Sequence, residues 1–121
     1  MMNSTYKLDL SSGASLTTSR SRLAGITVGW QSGNLAGTNR MSISSFDFDN
    51  LKIRLKNGSS GDELFGMCPP LGRQNTFSAI PYSYNFGNAR ILFPDGIYLE
   101  AVNGISNKAE ASKAMIVIFY E

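Results

Sequence analysis

The chain lacks histidine altogether and has a single cysteine among its 121 residues. The absence of histidine removes the commonest general base, the Ser-His-Asp and Cys-His nucleophile systems and most zinc sites. Cys68 has no intrachain partner, so the chain carries no disulfide framework of the kind that secreted domains use. We therefore expect a protein that is not an enzyme and that holds no metal and no cofactor.

Charge and long apolar runs are also scarce. Only 17% of the residues are charged, against about a quarter in an average protein. The formal net charge is +2 without a long basic run, which argues against a specific nucleic-acid partner. No run approaches the roughly 18 apolar residues of a membrane span, and the first twenty residues contain no continuous apolar signal segment. We expect a chain made in a cytoplasm that stays soluble and does not enter a membrane.

Short strands and turn formers fill the sequence instead. Runs of about four to eight residues alternate or stay apolar, and clusters of Gly, Ser, Asn and Pro bound them. Eight or so such runs, spaced roughly 8 to 12 residues apart, leave no helical stretch for crossovers. This pattern predicts one all-β domain over residues 1–121, an antiparallel β-sandwich of jelly-roll type, with residues 1–20 as an arm or a first strand.

The first alternating run predicts which side of a strand is buried. Tyr6, Leu8 and Leu10 occupy one set of alternate positions, and Lys7 and Asp9 occupy the other. Because side chains alternate between the two faces of a strand, we expect the three apolar residues to face the core.

A hairpin is predicted in the middle of the chain. The turn cluster at 57–61 is expected to reverse the chain so that 62–67 pairs with 51–55. Three basic residues on one face of the first strand either offer an anionic partner a docking surface or protect an edge strand from unwanted pairing. They are Lys52, Arg54 and Lys56.

The chain ends on an apolar, β-branched and aromatic run, 115–121. Such a run is an aggregation hazard when loose, so we expect it to form a buried central strand paired on both edges. Ile116, Ile118 and Tyr120 are the predicted core positions, and the strand at 97–102 is an expected neighbour.

Several aromatic residues are candidates for contact with a partner. Trp30 ends a strand beside the long 31–40 loop, and an aromatic alternation follows Pro81. These side chains either pack in a core or line an interface or a shallow groove. The residues predicted to contact a partner are Trp30, Arg40, Phe77, Tyr82, Tyr84 and Phe86.

One carboxylate pair deserves a chemical interpretation. Asp47 and Asp49 fall on one strand face and suit a calcium site or an acid/base pair. The Gly and Glu positions of a calcium loop are missing, however, and the wet face of an amphipathic strand explains the same pattern.

Four segments occur in a fixed order: 22–28, a strand pair around a Gly/Ser turn at 51–65, a Gly-aliphatic-Tyr strand within 91–99, and a terminal Val-x-x-Tyr strand at 117–121. In this respect residues 22–121 resemble small virion proteins of tailed bacteriophages. The likeness transfers no catalytic residue. The segment 41–49 departs from the pattern and leaves the place within the virion open.

The resemblance implies a non-enzymatic structural role, as a capsid decoration or cement subunit or as a tail accessory protein. The implied partners are the major capsid protein or another virion protein, with self-association most simply as a trimer. The implied location is the virion, after synthesis in the host cytoplasm. An alternative from the residues is a carbohydrate- or receptor-binding module, with Trp30, Tyr82 or Tyr84 stacking on sugar and Asp47 or Asn50 bonding hydroxyls.

Overall fold

The computed structural model describes residues 1–10, 12–30, 51–68, 82–103 and 114–121, and these contain strands and turns but no helix. The predicted all-β class is confirmed. The strands are β1 (Asn3–Leu8), β2 (Ala14–Ser15), β3 (Ser21–Trp30), β4 (Leu51–Asn57), β5 (Glu63–Met67), β6 (Tyr82–Asn85), β7 (Ile91–Phe93), β8 (Ile97–Asn103) and β9 (Ala114–Tyr120).

Two antiparallel sheets pack face to face as a β-sandwich. Sheet A has the order β1-β9-β3-β6, with β7 pairing β3 beyond the end of β6, and sheet B has the order β2-β8-β4-β5. The predicted hairpin is confirmed, since β4 and β5 pair with Leu55 opposite Phe65 and Ile53 opposite Met67.

The core lies between the two sheets and consists of aliphatic side chains with one phenylalanine. Both sheets contribute alternate residues, as a half-buried strand requires. The buried cluster comprises Leu10, Leu23, Ile26, Val28, Ile53, Leu55, Phe93, Ile97, Leu99, Ile116 and Ile118.

The terminal run forms β9, which lies between β1 and β3 and is paired on both edges, as the sequence predicted. Ile116 and Ile118 are fully buried, and Tyr120 is half-buried against the core. The backbone of Glu121 continues the pairing through hydrogen bonds of 2.8 and 2.9 Å with Arg22. The last residue of the chain is therefore tied to sheet A.

The expected pairing of the terminal strand with 97–102 is wrong. The segment forms β8 in sheet B, between β2 and β4. The turn at 94–96 carries the chain from sheet A to sheet B, so β8 and β9 belong to different sheets. Gly96 permits this turn with a φ of +99°, where a Cβ would also lie 2.5 Å from the carbonyl oxygen of Thr17.

The expected burial of the first strand is also wrong, because its two faces are exchanged. Tyr6 and Leu8 are exposed, while Thr5 and Lys7 lie opposite the buried Ile118 and Ile116. Leu10 does reach the core, since Asp9 has a left-handed φ of 62° that interrupts the alternation. The left-handed conformation of Asp9, which the apolar pattern does not reveal, therefore decides which face of β1 is buried.

Candidate functional site

The outer face of sheet A, which points away from the core, is built from uncharged residues along most of its length. Residues opposite each other on paired strands share a face. Tyr6 therefore lies beside Val117 and Leu8 beside Met115, all on the side away from Ile116 and Ile118. Gly29 and Thr27 of β3 continue the same two rows across β9.

Four of these residues form a contiguous surface that we call the apolar patch. It comprises Tyr6, Leu8, Met115 and Val117. Tyr6 is 66% exposed and Leu8 is 48% exposed, while Met115 and Val117 are half-buried. Two adjacent strands thus present large apolar side chains to solvent, and contiguous apolar surface is one signature of an interaction site.

A groove crosses the other end of the same face and has a volume of about 580 Å³. We call it the sheet A groove. It is built by β3, β6, the turn after β6, the end of β9 and the N-terminal segment. Its lining residues are Met2, Ala24, Gly25, Ile26, Thr27, Ser83, Tyr84, Asn85, Gly87, Asn88, Arg90 and Phe119.

Gly25 lines the groove and leaves space there because it has no side chain. The β3–β9 register shifts between Leu23 and Gly25, and Gly25 then lies opposite Phe119. A Cβ on Gly25 would lie 3.6 Å from Cδ2 of Phe119 and 3.3 Å from the carbonyl oxygen of Tyr84. The missing side chain therefore leaves one side of the Phe119 ring accessible from the groove.

Polar groups stand at fixed positions along the groove. The hydroxyls of Thr27 and Ser83, opposite each other on β3 and β6, lie 3.0 Å apart. The side-chain oxygen of Asn85 accepts a 2.7 Å hydrogen bond from the backbone N–H of Gly87, which holds the turn at the groove rim. When two hydroxyls hydrogen-bond to each other, one of the two O–H groups is used. The other O–H donor and several lone pairs remain for a ligand.

Among the described lining residues, the charged side chain is that of Arg90, which forms an ion pair with the side chain of Glu121 at one end of the groove. Arg90 also donates to the carbonyl oxygen of Gly87 at 3.3 Å. The hydrogen bond from Arg90 lowers the pKa of Glu121 below its ordinary value, with smaller contributions from the charges of the N-terminus and Arg22. The positive charge of Arg90 is thus matched by a carboxylate beside the groove.

The outer face of sheet B is different, because charged side chains alternate in sign across its strands. Lys52 Nζ lies 2.9 Å from an oxygen of Glu63. Arg54 donates from Nε to Glu100 at 2.7 Å and lies 3.9 Å from Glu63. Lys56 lies 3.9 Å from the same Glu100 oxygen. The three basic residues of β4 therefore share one face, as predicted, but each has a carboxylate neighbour.

The suggestion that these basic residues protect an edge strand is wrong. β4 lies inside sheet B, between β8 and β5. The β4 charges instead pair with carboxylates on the two neighbouring strands, β5 and β8. A docking surface for an anion is also weakened, because two carboxylates offset most of the positive charge.

The structure places the predicted contact residues at different sites. Trp30 ends β3 opposite Ala114. Tyr82 is half-buried and Tyr84 is 46% exposed on β6, and Phe86 packs against the core. Arg40 and Phe77 lie outside the described residues, as do Asp47, Asp49 and Asn50.

An aromatic cluster closes the space between β6 of sheet A and β5 of sheet B. The ring centroids of Phe65 and Phe86 lie 5.3 Å apart in an edge-to-face arrangement. Those of Tyr84 and Phe86 lie 4.8 Å apart. The aromatic alternation after Pro81 therefore joins the sheets through Phe86, and Tyr84 extends from this cluster to solvent.

No three metal-ligating residues come together within the five described ranges. Cys68 is exposed just after β5. In the same ranges no helix has the length and apolarity that a membrane crossing requires.

Sequence reasoning missed both features of the sheet A face. The apolar alternation conceals the patch, because it predicts that Tyr6 and Leu8 face the core, whereas both are exposed. The groove combines residues from the N-terminus, β3, β6 and β9 that are far apart in sequence. One usable signal was Gly25 inside a strand, since an isolated glycine there often marks a bulge or a close approach.

Comparison of the chain with known protein families, with curated proteins and with solved structures finds no match.

Proposed function

We propose that this chain is a non-enzymatic structural subunit of a tailed-bacteriophage virion, a decoration or cement protein that stabilises the capsid through protein–protein contacts. The apolar patch is the observation that carries this proposal. The phage setting comes from the resemblance of residues 22–121 to small virion proteins.

The patch suits a protein partner because it is apolar, contiguous and free of charge. Tyr6 and Leu8 project from β1 next to Val117 and Met115 of β9, on a rigid backbone held by antiparallel pairing. Aromatic residues and methionine are enriched at protein interfaces, and charged residues are depleted from interface centres. We assign the patch to contact with the major capsid protein or another shell protein.

Rigidity supports the same role. β9 is paired on both edges and β1 lies next to it, so the strands nearest the two ends of the described chain belong to one sheet. A subunit that adds contacts across shell joints in many copies gains most when little ordering is needed on binding. Contacts between copies of the subunit, as a trimer, would use a second surface, for which the exposed Tyr84 at the sheet edge is a candidate.

A paired substitution tests the role of the patch. Leu8→Glu places a charge in the patch, at a residue that is 48% exposed. Leu64→Glu places a charge outside the patch, on β5, at a residue that is 39% exposed. Both variants should stay folded, because both side chains already contact solvent. We expect Leu8→Glu to abolish co-sedimentation with particles of the encoding phage, and Leu64→Glu to retain it.

Two results would overturn the proposal. A wild-type chain that sediments as a stable monomer and never co-sediments with particles has no structural role in a virion. Equal binding of the two variants to particles would remove the patch as the contact surface. Analytical ultracentrifugation of the free protein supplies the oligomeric state for both comparisons.

A further inference from the structure

The sheet A groove has the size and the lining of a small-ligand site. Its volume of about 580 Å³ lies within the range of about 300 to 1,000 Å³ that such sites span. The lining combines the exposed ring of Phe119 with the hydroxyl pair of Thr27 and Ser83 and with asparagine side chains. A few fixed polar groups on a largely apolar surface are the usual composition of a specific binding site.

The lining matches the two kinds of surface that a sugar ring presents. The C–H face of a pyranose packs on an aromatic side chain, and Phe119 is 38% exposed beside the space left by Gly25. Sugar hydroxyls need both donors and acceptors, which the Thr27–Ser83 pair and the amide of Asn88 supply.

Charge decides which sugars fit. Arg90 is the one charged side chain that the described part of the chain contributes to the lining, and its guanidinium is paired with Glu121. An anionic sugar would have to compete with that carboxylate, while a neutral sugar leaves the ion pair intact. We propose that the sheet A groove binds a neutral oligosaccharide.

The site shares no residue with the apolar patch or with the aromatic platform expected at Trp30, although Thr27 of its lining lies opposite Val117 of the patch. On β9, Met115 marks the patch end and Phe119 the groove end, about 14 Å apart for an extended strand. On β3, Trp30 lies five residues beyond Gly25, toward the patch end. The proposal does not depend on the virion role, since a free subunit carries the same groove.

The experiment is a titration of the full chain, followed by NMR of its backbone amides. The probes are chitotriose, cellotriose, maltotriose and mannotriose, with sialyllactose as the anionic comparison. We expect at least one neutral probe to bind at concentrations up to about 5 mM. The largest shifts should fall on Gly25, Thr27 and Ser83, and sialyllactose should bind more weakly.

Two matched pairs of variants locate the site. Thr27→Val removes a hydroxyl from the groove and Thr5→Val removes one from the opposite side of the same sheet. We expect the first to weaken binding about three- to tenfold, the loss of one hydrogen bond, and the second to leave it unchanged. Gly25→Ala fills the floor beside Phe119, whereas a Cβ on Gly29 meets only Met115 at 3.7 Å. Binding should fall in Gly25→Ala and persist in Gly29→Ala.

Several outcomes would overturn the proposal. They are no binding of any neutral probe, binding of sialyllactose alone, or affinity that survives both Thr27→Val and Gly25→Ala. Loss of binding in Trp30→Ala with no effect of Thr27→Val would place the sugar at the other end of the sheet. Thr27→Val keeps the shape of the side chain at a half-buried position, so its result stands even if Gly25→Ala folds poorly.

Discussion

The outer faces of the two sheets meet solvent in different ways. On sheet B, Lys52, Arg54 and Lys56 alternate with Glu63 and Glu100 across three strands. On sheet A, the equivalent central region carries Tyr6, Leu8, Met115 and Val117, and the described ion pair of this sheet lies at the end near Glu121.

The difference in charge bears on which of the two outer faces is suited to contact with another molecule. Ion pairs at a surface contribute little to stability, but they keep a face soluble and discourage apolar association. A face without them is left available for contact, provided that its backbone is rigid. Sheet A has such a backbone because its centre is the doubly paired strand β9.

The variant with the largest expected effect on folding lacks the central strand of sheet A. Deletion of 117–121 takes away most of β9 and with it the partners of β1 and β3. We expect loss of soluble folded protein, measured by circular dichroism and by yield. Glu121→Gln is the control and should fold. A truncated chain that still folds would mean that β9 is dispensable to the sheet.

A second test compares adjacent residues of β9 that point to opposite faces. Ile118 is fully buried, whereas Val117 is half-buried on the outer face. Ile118→Ala should lower the free energy of unfolding by about 2 to 5 kcal/mol, because it leaves a cavity in the core. Val117→Ala should cost about 1 kcal/mol from lost apolar contact. Urea denaturation measures both, and equal losses would contradict the assigned faces.

The sequence predicted the parts of this fold that depend on local pattern. The terminal run is apolar from Met115 to Phe119, so burial at the centre of a sheet followed from it. The β4–β5 hairpin followed from a turn cluster between two alternating runs. Both are properties of neighbouring residues.

Features that depend on a single backbone angle or on distant residues were not predictable in this way. One left-handed residue, Asp9, exchanged the faces of β1. The turn at Gly96 placed β7 and β8 in different sheets, although their apolar patterns fit one sheet equally well. The groove combines Gly25, Ser83 and Phe119, whose proximity only the strand order determines.

A smaller effect is expected on the charged face of sheet B. Glu100 accepts from Arg54 and lies near Lys56, with side chains of Arg54 and Glu100 33% and 34% exposed. Glu100→Gln should lower the free energy of unfolding by about 0.5 to 1 kcal/mol, since partly exposed ion pairs are screened by solvent. The loss should shrink in 1 M salt. A salt-independent loss would show that packing, rather than charge, is the contribution of Glu100.

The smallest effect concerns the ion pair between Arg90 and Glu121 of sheet A. Arg90 lowers the pKa of Glu121 below its ordinary value of 4.5. A carboxyl group with a lower pKa in the folded state stabilises that state above the unfolded pKa, and the contribution is lost as the pH falls through the folded value. The melting temperature of the wild type should therefore fall slightly more steeply below about pH 4.5 than that of Arg90→Gln, measured from pH 7 to pH 3. Because the carboxyl group is exposed, the difference should be small and should vanish in high salt. The same dependence of the melting temperature on pH in the two proteins would mean that the ion pair leaves stability unchanged.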